Sequence, residues 1–118
     1  MPDLLNLGNL ALGDQHYEEA VGFYERAEAV GSELTRQNQA QFGIALLKIG
    51  RAREAIPRLE AGLATMPDQS PLLLEFLGDA YATADETEKA AEAYTRALLF
   101  GRTPALLKKL TTLQNRAK

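Results

Sequence analysis

Residues 17–27 read YEEAVGFYERA, and related stretches return at 53–62 (REAIPRLEAG) and 88–97 (EKAAEAYTRA). Ala20, Ala55 and Ala90 fall in register at a step of 35 residues. The same step relates Gly8, Gly43 and Gly78; Leu7, Phe42 and Leu77; Ala11, Leu46 and Tyr81; Tyr24, Leu59 and Tyr94; and Ala27, Gly62 and Ala97. A pattern repeated at a fixed interval builds one supersecondary unit several times over. A single such unit cannot bury its apolar face alone, so its copies must stack.

Each unit reads as two helices. Leu4, Leu7, Gly8 and Ala11 have the three-and-four spacing of one helical stripe, and Ala20, Tyr24, Ala27 and Val30 form a second. Between the stripes lie GDQHY, IGRAR and ADETE, each a short polar turn, which predicts an antiparallel helix pair per unit. Glycine inside a helix costs about 1 kcal/mol against alanine. Three glycines at matched places therefore imply close approach of the paired helices, with the large residues Leu7 and Tyr24 and their equivalents filling the neighbouring gaps.

These residues resemble the tetratricopeptide repeat family, whose unit is a helix-turn-helix of about 34 residues. The matching signature is Leu7-Gly8, Ala11, Ala20, Tyr24 and Ala27; then Phe42-Gly43, Leu46, Gly50, Ala55, Leu59 and Pro67; then Leu77-Gly78, Tyr81, Ala90, Tyr94 and Ala97. It covers roughly the first hundred residues. The family's early aromatic is replaced by Leu4, Gln39 and Leu74, its turn glycine stands only at Gly50, and its closing proline only at Pro67. The resemblance implies an all-α fold, a right-handed superhelix (α-solenoid) of three helix-turn-helix repeats in one domain over residues 1–118. The repeats are expected at about 1–34, 36–69 and 71–102.

Local signals mark the helix ends. Ser70-Pro71 and Thr103-Pro104 each place a capping side chain before a proline at the first helical position. Asp85 with Glu88 reads as a capping box, and Ser32 as the cap of the second unit. Pro57 falls within the second helix of unit two and predicts a kink or a late start there. After the third unit, Leu106, Leu107, Leu110, Leu113 and Ala117 form an apolar stripe backed by Lys108, Lys109, Thr112 and Arg116. Stacked units leave an apolar face bare at the end of the row, so residues 104–117 are expected to form a capping helix. A basic helix lying on a membrane would need more apolar bulk and more charge.

The chemistry is sparse. There is no cysteine, which excludes disulfides and thiolate metal sites. His16 is the sole histidine, and Asp14, Glu18 and Glu19 beside it lack calcium-loop spacing. No phosphate-cradling glycine loop is present: GNLALG lacks both the spacing and a preceding strand. Ser32 and Ser70 have no histidine in reach for a triad, and DETEK (85–89) reads as a helix start rather than a catalytic carboxylate pair. The expectation is a protein that is not an enzyme and has no cofactor.

No stretch approaches the about 20 apolar residues of a membrane span, and the N-terminus does not read as a signal peptide, so a cytoplasmic setting is the default and no membrane partner is expected. The net charge of −3 divides unevenly, with −8 over residues 1–101 and +5 over 102–118. An acidic body opposes nucleic-acid binding, which requires clustered Lys and Arg. That same body weighs against a distant reading, an RNA-binding repeat of the same length.

What remains is surface. In the resembled family the first helices of successive repeats line a concave groove. Transferred place by place, the groove positions are Pro2, Leu5, Asn9, Leu12 and Gly13; Gln37, Ala40, Ile44, Leu47 and Lys48; and Leu72, Glu75, Asp79, Ala82 and Thr83. Leu5, Leu12, Ile44 and Leu47 make an apolar floor, Lys48 is a cation, and Glu75 and Asp79 make the third repeat acidic. Some family members grip a C-terminal carboxylate with Lys, Asn and Arg at places that here hold Leu5, Asn9, Gln41, Leu72 and Phe76; only Asn9 matches. The expected function is binding of a partner's peptide or amphipathic helix, with Leu5, Asn9, Leu12, Ala40, Ile44, Leu47 and Lys48 as contacts and Glu75 and Asp79 selecting a basic end. The alternative is a structural element, a homo-oligomer or a segment of a longer solenoid, with the same apolar places as subunit contacts.

Overall fold

The computed structural model describes residues 3–64, 70–101 and 103–116. Among these are seven α-helices and no strand: α1 (Leu4–Gly13), α2 (Tyr17–Ala29), α3 (Arg36–Lys48), α4 (Ala52–Leu63), α5 (Pro71–Thr83), α6 (Thr87–Phe100) and α7 (Pro104–Arg116). Pro2, Pro67, Arg102, Ala117 and the side chain of Arg116, each given a role by the sequence, lie outside what is described. The chain falls into two compact units, Met1–Gly62 and Leu63–Lys118. The first holds the helix pairs α1/α2 and α3/α4, and the second holds α5/α6 with α7.

The three intra-repeat turns are built alike. The N–H of His16, Arg51 and Glu86 donates to the carbonyl of Ala11, Leu46 and Tyr81, at 2.8, 2.9 and 2.9 Å. Each turn passes through a left-handed residue, at Gln15 (φ 63°), Gly50 (φ 87°) and Asp85 (φ 63°). Gly50 takes that conformation without a Cβ penalty, whereas Gln15 and Asp85 bear one. This overturns the capping box at Asp85 and Glu88. Asp85 is spent on the turn, and Glu86, at the N-cap, makes no side-chain cap bond.

Ser32 is corrected in the same way. Its N–H donates to the Ala27 carbonyl at 3.0 Å, closing the end of α2 behind the left-handed Gly31. The cap of α3 is Thr35, whose hydroxyl accepts from the Asn38 N–H at 3.1 Å while the Asn38 side chain accepts from the Thr35 N–H. Ser70 and Thr103 do cap, accepting from Leu73 and Leu106 N–H at 3.2 and 3.1 Å. α4 begins at Ala52 and runs through Pro57, so the late start is not adopted. Proline deletes one hydrogen bond, while burial of Ala52, Ala55 and Leu59 holds the helix in place on both sides of it.

Within each pair the matched glycine sets the approach. A Cβ added to Gly8, Gly43 or Gly78 would lie 2.7, 2.7 and 2.5 Å from Tyr24, Leu59 and Tyr94. Ala20, Ala55 and Ala90 are wholly buried beside these contacts. Two repeats of the first unit are joined through Phe42. Its ring stacks on Tyr24 at 5.4 Å between centroids, and the Arg58 guanidinium lies over the Phe42 ring, 4.4 Å from its centroid. Arg58 also donates to Glu28 at 2.7 Å and Gln39 at 3.1 Å, tying α4 to α2 and α3.

α7 packs on α6 through buried Leu106 and Leu113. The expected stripe is rotated: Leu107 is 42 % exposed, and Lys109, assigned to the polar back, turns inward. Leu106, Lys109, Leu110 and Leu113 follow the three-and-four spacing more closely than a stripe containing Leu107.

Candidate partner-binding face

The first helix of each repeat carries the sequence-derived site. Leu5, Asn9 and Leu12 lie on α1, Ala40, Ile44, Leu47 and Lys48 on α3, and Glu75 and Asp79 on α5. All are half-buried except Lys48, which is exposed. Half-burial follows from the helix period: residues flanking the core stripe are shielded on one side by the partner helix and open on the other. In the first unit α3 contacts both α1 and α2, which sets Leu5 and Leu12 on one of two neighbouring helices and Ile44 and Leu47 on the other. Ala40 also serves packing, since a Cβ on Gly62 of α4 would meet its methyl at 2.7 Å. Lys48 lies at the turn end, where with Glu18, Glu19, His16 and Ile49 it lines an open depression of about 600 Å³. His16 faces Glu19 at 3.8 Å, both exposed.

Two hydroxyls that the sequence reading passed over reach this face. Tyr24 donates to Asn9 Oδ1 at 2.6 Å, and Tyr94 donates to Asp79 Oδ1 at 2.5 Å. The two bonds occupy equivalent places in repeats one and three. In repeat two those places hold Ile44 and Leu59, so an apolar pair replaces the polar one. Burial pushes the Tyr24 phenol up to about 12. Burial, and then the bond to Asp79, push Tyr94 up as well. Both hydroxyls therefore keep their protons at neutral pH and remain donors. The available signal was the 15-residue separation of Asn9 from Tyr24 and of Asp79 from Tyr94, which pairs a carbonyl or carboxylate oxygen with a phenol each time.

The acidic pair of α5 holds a cation from its own chain. Lys109 Nζ of α7 lies 2.6 Å from Glu75 Oε2 and 3.0 and 3.1 Å from the two oxygens of Asp79. Burial pulls the Lys109 ammonium down, but the hydrogen bonds to Glu75 and Asp79 outweigh it and leave the group above its ordinary range. Beside the cluster an open depression of about 500 Å³ is lined by Asp79, Ala82, Thr83, Tyr94, Lys108, Lys109, Thr112 and Leu113. Among the described residues no helix is long and apolar enough to cross a membrane, and no group of three or more His, Cys, Asp or Glu is placed to hold a metal.

Repeated antiparallel helix pairs, closed by matched glycines and leaving the first helices partly open, define an α-helical repeat scaffold. The Tetratricopeptide repeat family pattern matches residues 4–36. The fold is shared with MamA (residue 41 to the end) from Desulfovibrio magneticus RS-1, at 24% identity and a TM-score of 0.83. That match covers 97% of this chain and 64% of MamA, so this chain spans less than two thirds of that structure. The second TPR domain of human RPAP3, solved in complex with the HSP70 peptide SGPTIEEVD, matches at 18% identity and a TM-score of 0.77, over 95% of this chain and 92% of that one. The Sgt2 TPR domain from Aspergillus fumigatus matches at 21% identity and 0.73, over 97% and 76%. No curated protein sequence matches the chain. Residues 4–36 thus carry the tetratricopeptide repeat pattern, and the chain shares its fold with solved tetratricopeptide repeat domains.

Proposed function

We propose that this chain is a protein-interaction module whose first unit binds an apolar or amphipathic peptide of a partner protein across α1 and α3. The observation that carries the reading is the half-exposed set Leu5, Leu12, Ile44 and Leu47 on two helices in contact. Adjoining open apolar residues mark contact surfaces. The RPAP3 domain was solved with a peptide ending in Glu, Glu, Val and Asp. The transferred anion-gripping places here hold Leu5, Gln41, Leu72 and Phe76, and the one matching residue, Asn9, already accepts a bond from Tyr24. An acidic tail is therefore the wrong ligand for this face, and an apolar side-chain series is the right one. Catalysis has no place in the reading, since nothing in the site activates a nucleophile.

Ile44→Glu is the direct test, because it puts a charge on the apolar face at a half-open position. Wild type and variant are compared in a pull-down from extract of the source organism, with thermal melting as control. Partners captured by wild type are expected to be lost, a change of about 10-fold or more for a buried unpaired carboxylate, with melting little changed. Equal capture by both proteins contradicts the assignment.

A second reading, self-association, draws on exposed Leu72, Leu99 and Leu107 in the second unit, at 61, 77 and 42 %. Sedimentation equilibrium separates it, since a molar mass independent of concentration contradicts contacts between copies.

A further inference from the structure

We propose that Lys109 is a built-in competitor for the Glu75–Asp79 pair: in the free protein it fills the place of a partner's lysine or arginine, so α5 engages a basic partner only when the α7 ammonium gives way. The inference rests on the reading of the first helices as a partner-binding face and adds to it the regulation of one end.

Three features of the second unit carry it. The first is convergence. Glu75 and Asp79, one helical turn apart on α5, direct three oxygens at a single Nζ within 2.6–3.1 Å. The pair is thus a working ammonium site, seen occupied. The second is that Asp79 is oriented without help from α7. Its Oδ1 accepts from the Tyr94 hydroxyl of α6, and the equivalent bond is made to Asn9 by Tyr24 within α1 and α2. The carboxylate therefore stays aimed when Lys109 leaves. The third is access. Lys109, Glu75 and Asp79 keep 36, 21 and 28 % of their side-chain surface exposed, and the depression lined by Ala82, Thr83, Lys108, Thr112 and Leu113 opens directly beside Asp79 and Lys109. A second cation can approach from that side.

Lys109 is also the replaceable member of the cluster. It sits on a long, flexible stem whose rotamer freedom returns on release, and Leu106 and Leu113 bury α7 independently of it. Three carboxylate oxygens converge on the one ammonium, so an arginine, which donates from a fork, is the better-fitting replacement.

The test uses the full chain, ¹⁵N-labelled, titrated with the dipeptide acetyl-Arg-Arg-amide and with acetyl-Glu-Glu-amide as control. Lys109→Met keeps the stem and removes the competing charge. It is expected to bind the arginine peptide about 10-fold tighter than wild type, the scale of one close charge pair, with shifts centred on Glu75 and Asp79. Adding Glu75→Gln and Asp79→Asn to that variant is expected to abolish the gain. Amide exchange across α7 reports whether each variant keeps the helix docked, and Lys109→Gln replaces Lys109→Met if it does not. Equal or weaker binding by the docked variant, or shifts centred elsewhere, overturns the proposal. Ile44→Glu is expected to leave this titration unchanged. Loss of the Ile44 effect on partner capture therefore sinks the apolar face alone, and loss of the Lys109 effect sinks the competitor alone.

Discussion

Gly22 and Gly43 each sit inside a helix, yet a methyl group added to them meets opposite surroundings. Nothing lies within 4 Å of a Cβ on Gly22, whereas one on Gly43 would stand 2.7 Å from Leu59 Cγ and 3.0 Å from its backbone nitrogen. Gly22→Ala is therefore expected to stabilise the chain by up to about 1 kcal/mol through helix propensity. Gly43→Ala gains the same propensity but must push the α4 backbone, and overpacking costs about 1–3 kcal/mol. The expected net is a loss, read as a lower urea midpoint at unchanged slope. The same substitution with two signs is a sharper test of helix interlock than either alone. The three matched glycines were visible in the sequence because steric exclusion acts on residue type directly. The tyrosine bonds to Asn9 and Asp79 were passed over, because their signal, a shared 15-residue separation, takes on meaning only once the folded hairpin brings those positions together.

At the scale of the element, helix existence was legible and helix ends were less so. The stripes, the polar turns and the Ser-Pro and Thr-Pro starts follow from periodicity and from proline chemistry, which are local. Ser32 and Asp85 misled because both types serve equally as caps and as turn residues, and the backbone, through Gly31 and through the left-handed Asp85 itself, assigned them to turns. α7 misled by rotation, since the pull of Glu75 and Asp79 on Lys109 is tertiary and absent from the helix's own pattern. Thr35 now bears the cap of α3. Thr35→Ala is expected to cost about 1 kcal/mol. Ser32→Ala is expected to change stability by less than half of that, since the Ser32 bond to Ala27 is made by backbone and survives the change. Chemical denaturation of the two variants side by side distinguishes them.

Across the whole molecule the fold class was legible because one small pattern appears three times in phase, and the proposed partner face was read from the places where those copies differ. Positions that agree between repeats (Gly8, Gly43 and Gly78; Ala20, Ala55 and Ala90) are the packing. Positions that diverge (Asn9, Ile44 and Asp79; Leu5, Ala40 and Glu75) stand half-exposed on the first helices. In stacked repeats stability adds unit by unit and neighbour by neighbour, so first-helix faces can vary while the interlock persists. The measurement that bears most directly on this division is amide hydrogen exchange of the chain alone and with its captured partner. Slowed exchange concentrated in α1 and α3 is the predicted result. Protection confined to α2 and α4, with α1 and α3 exchanging as in the free chain, contradicts it.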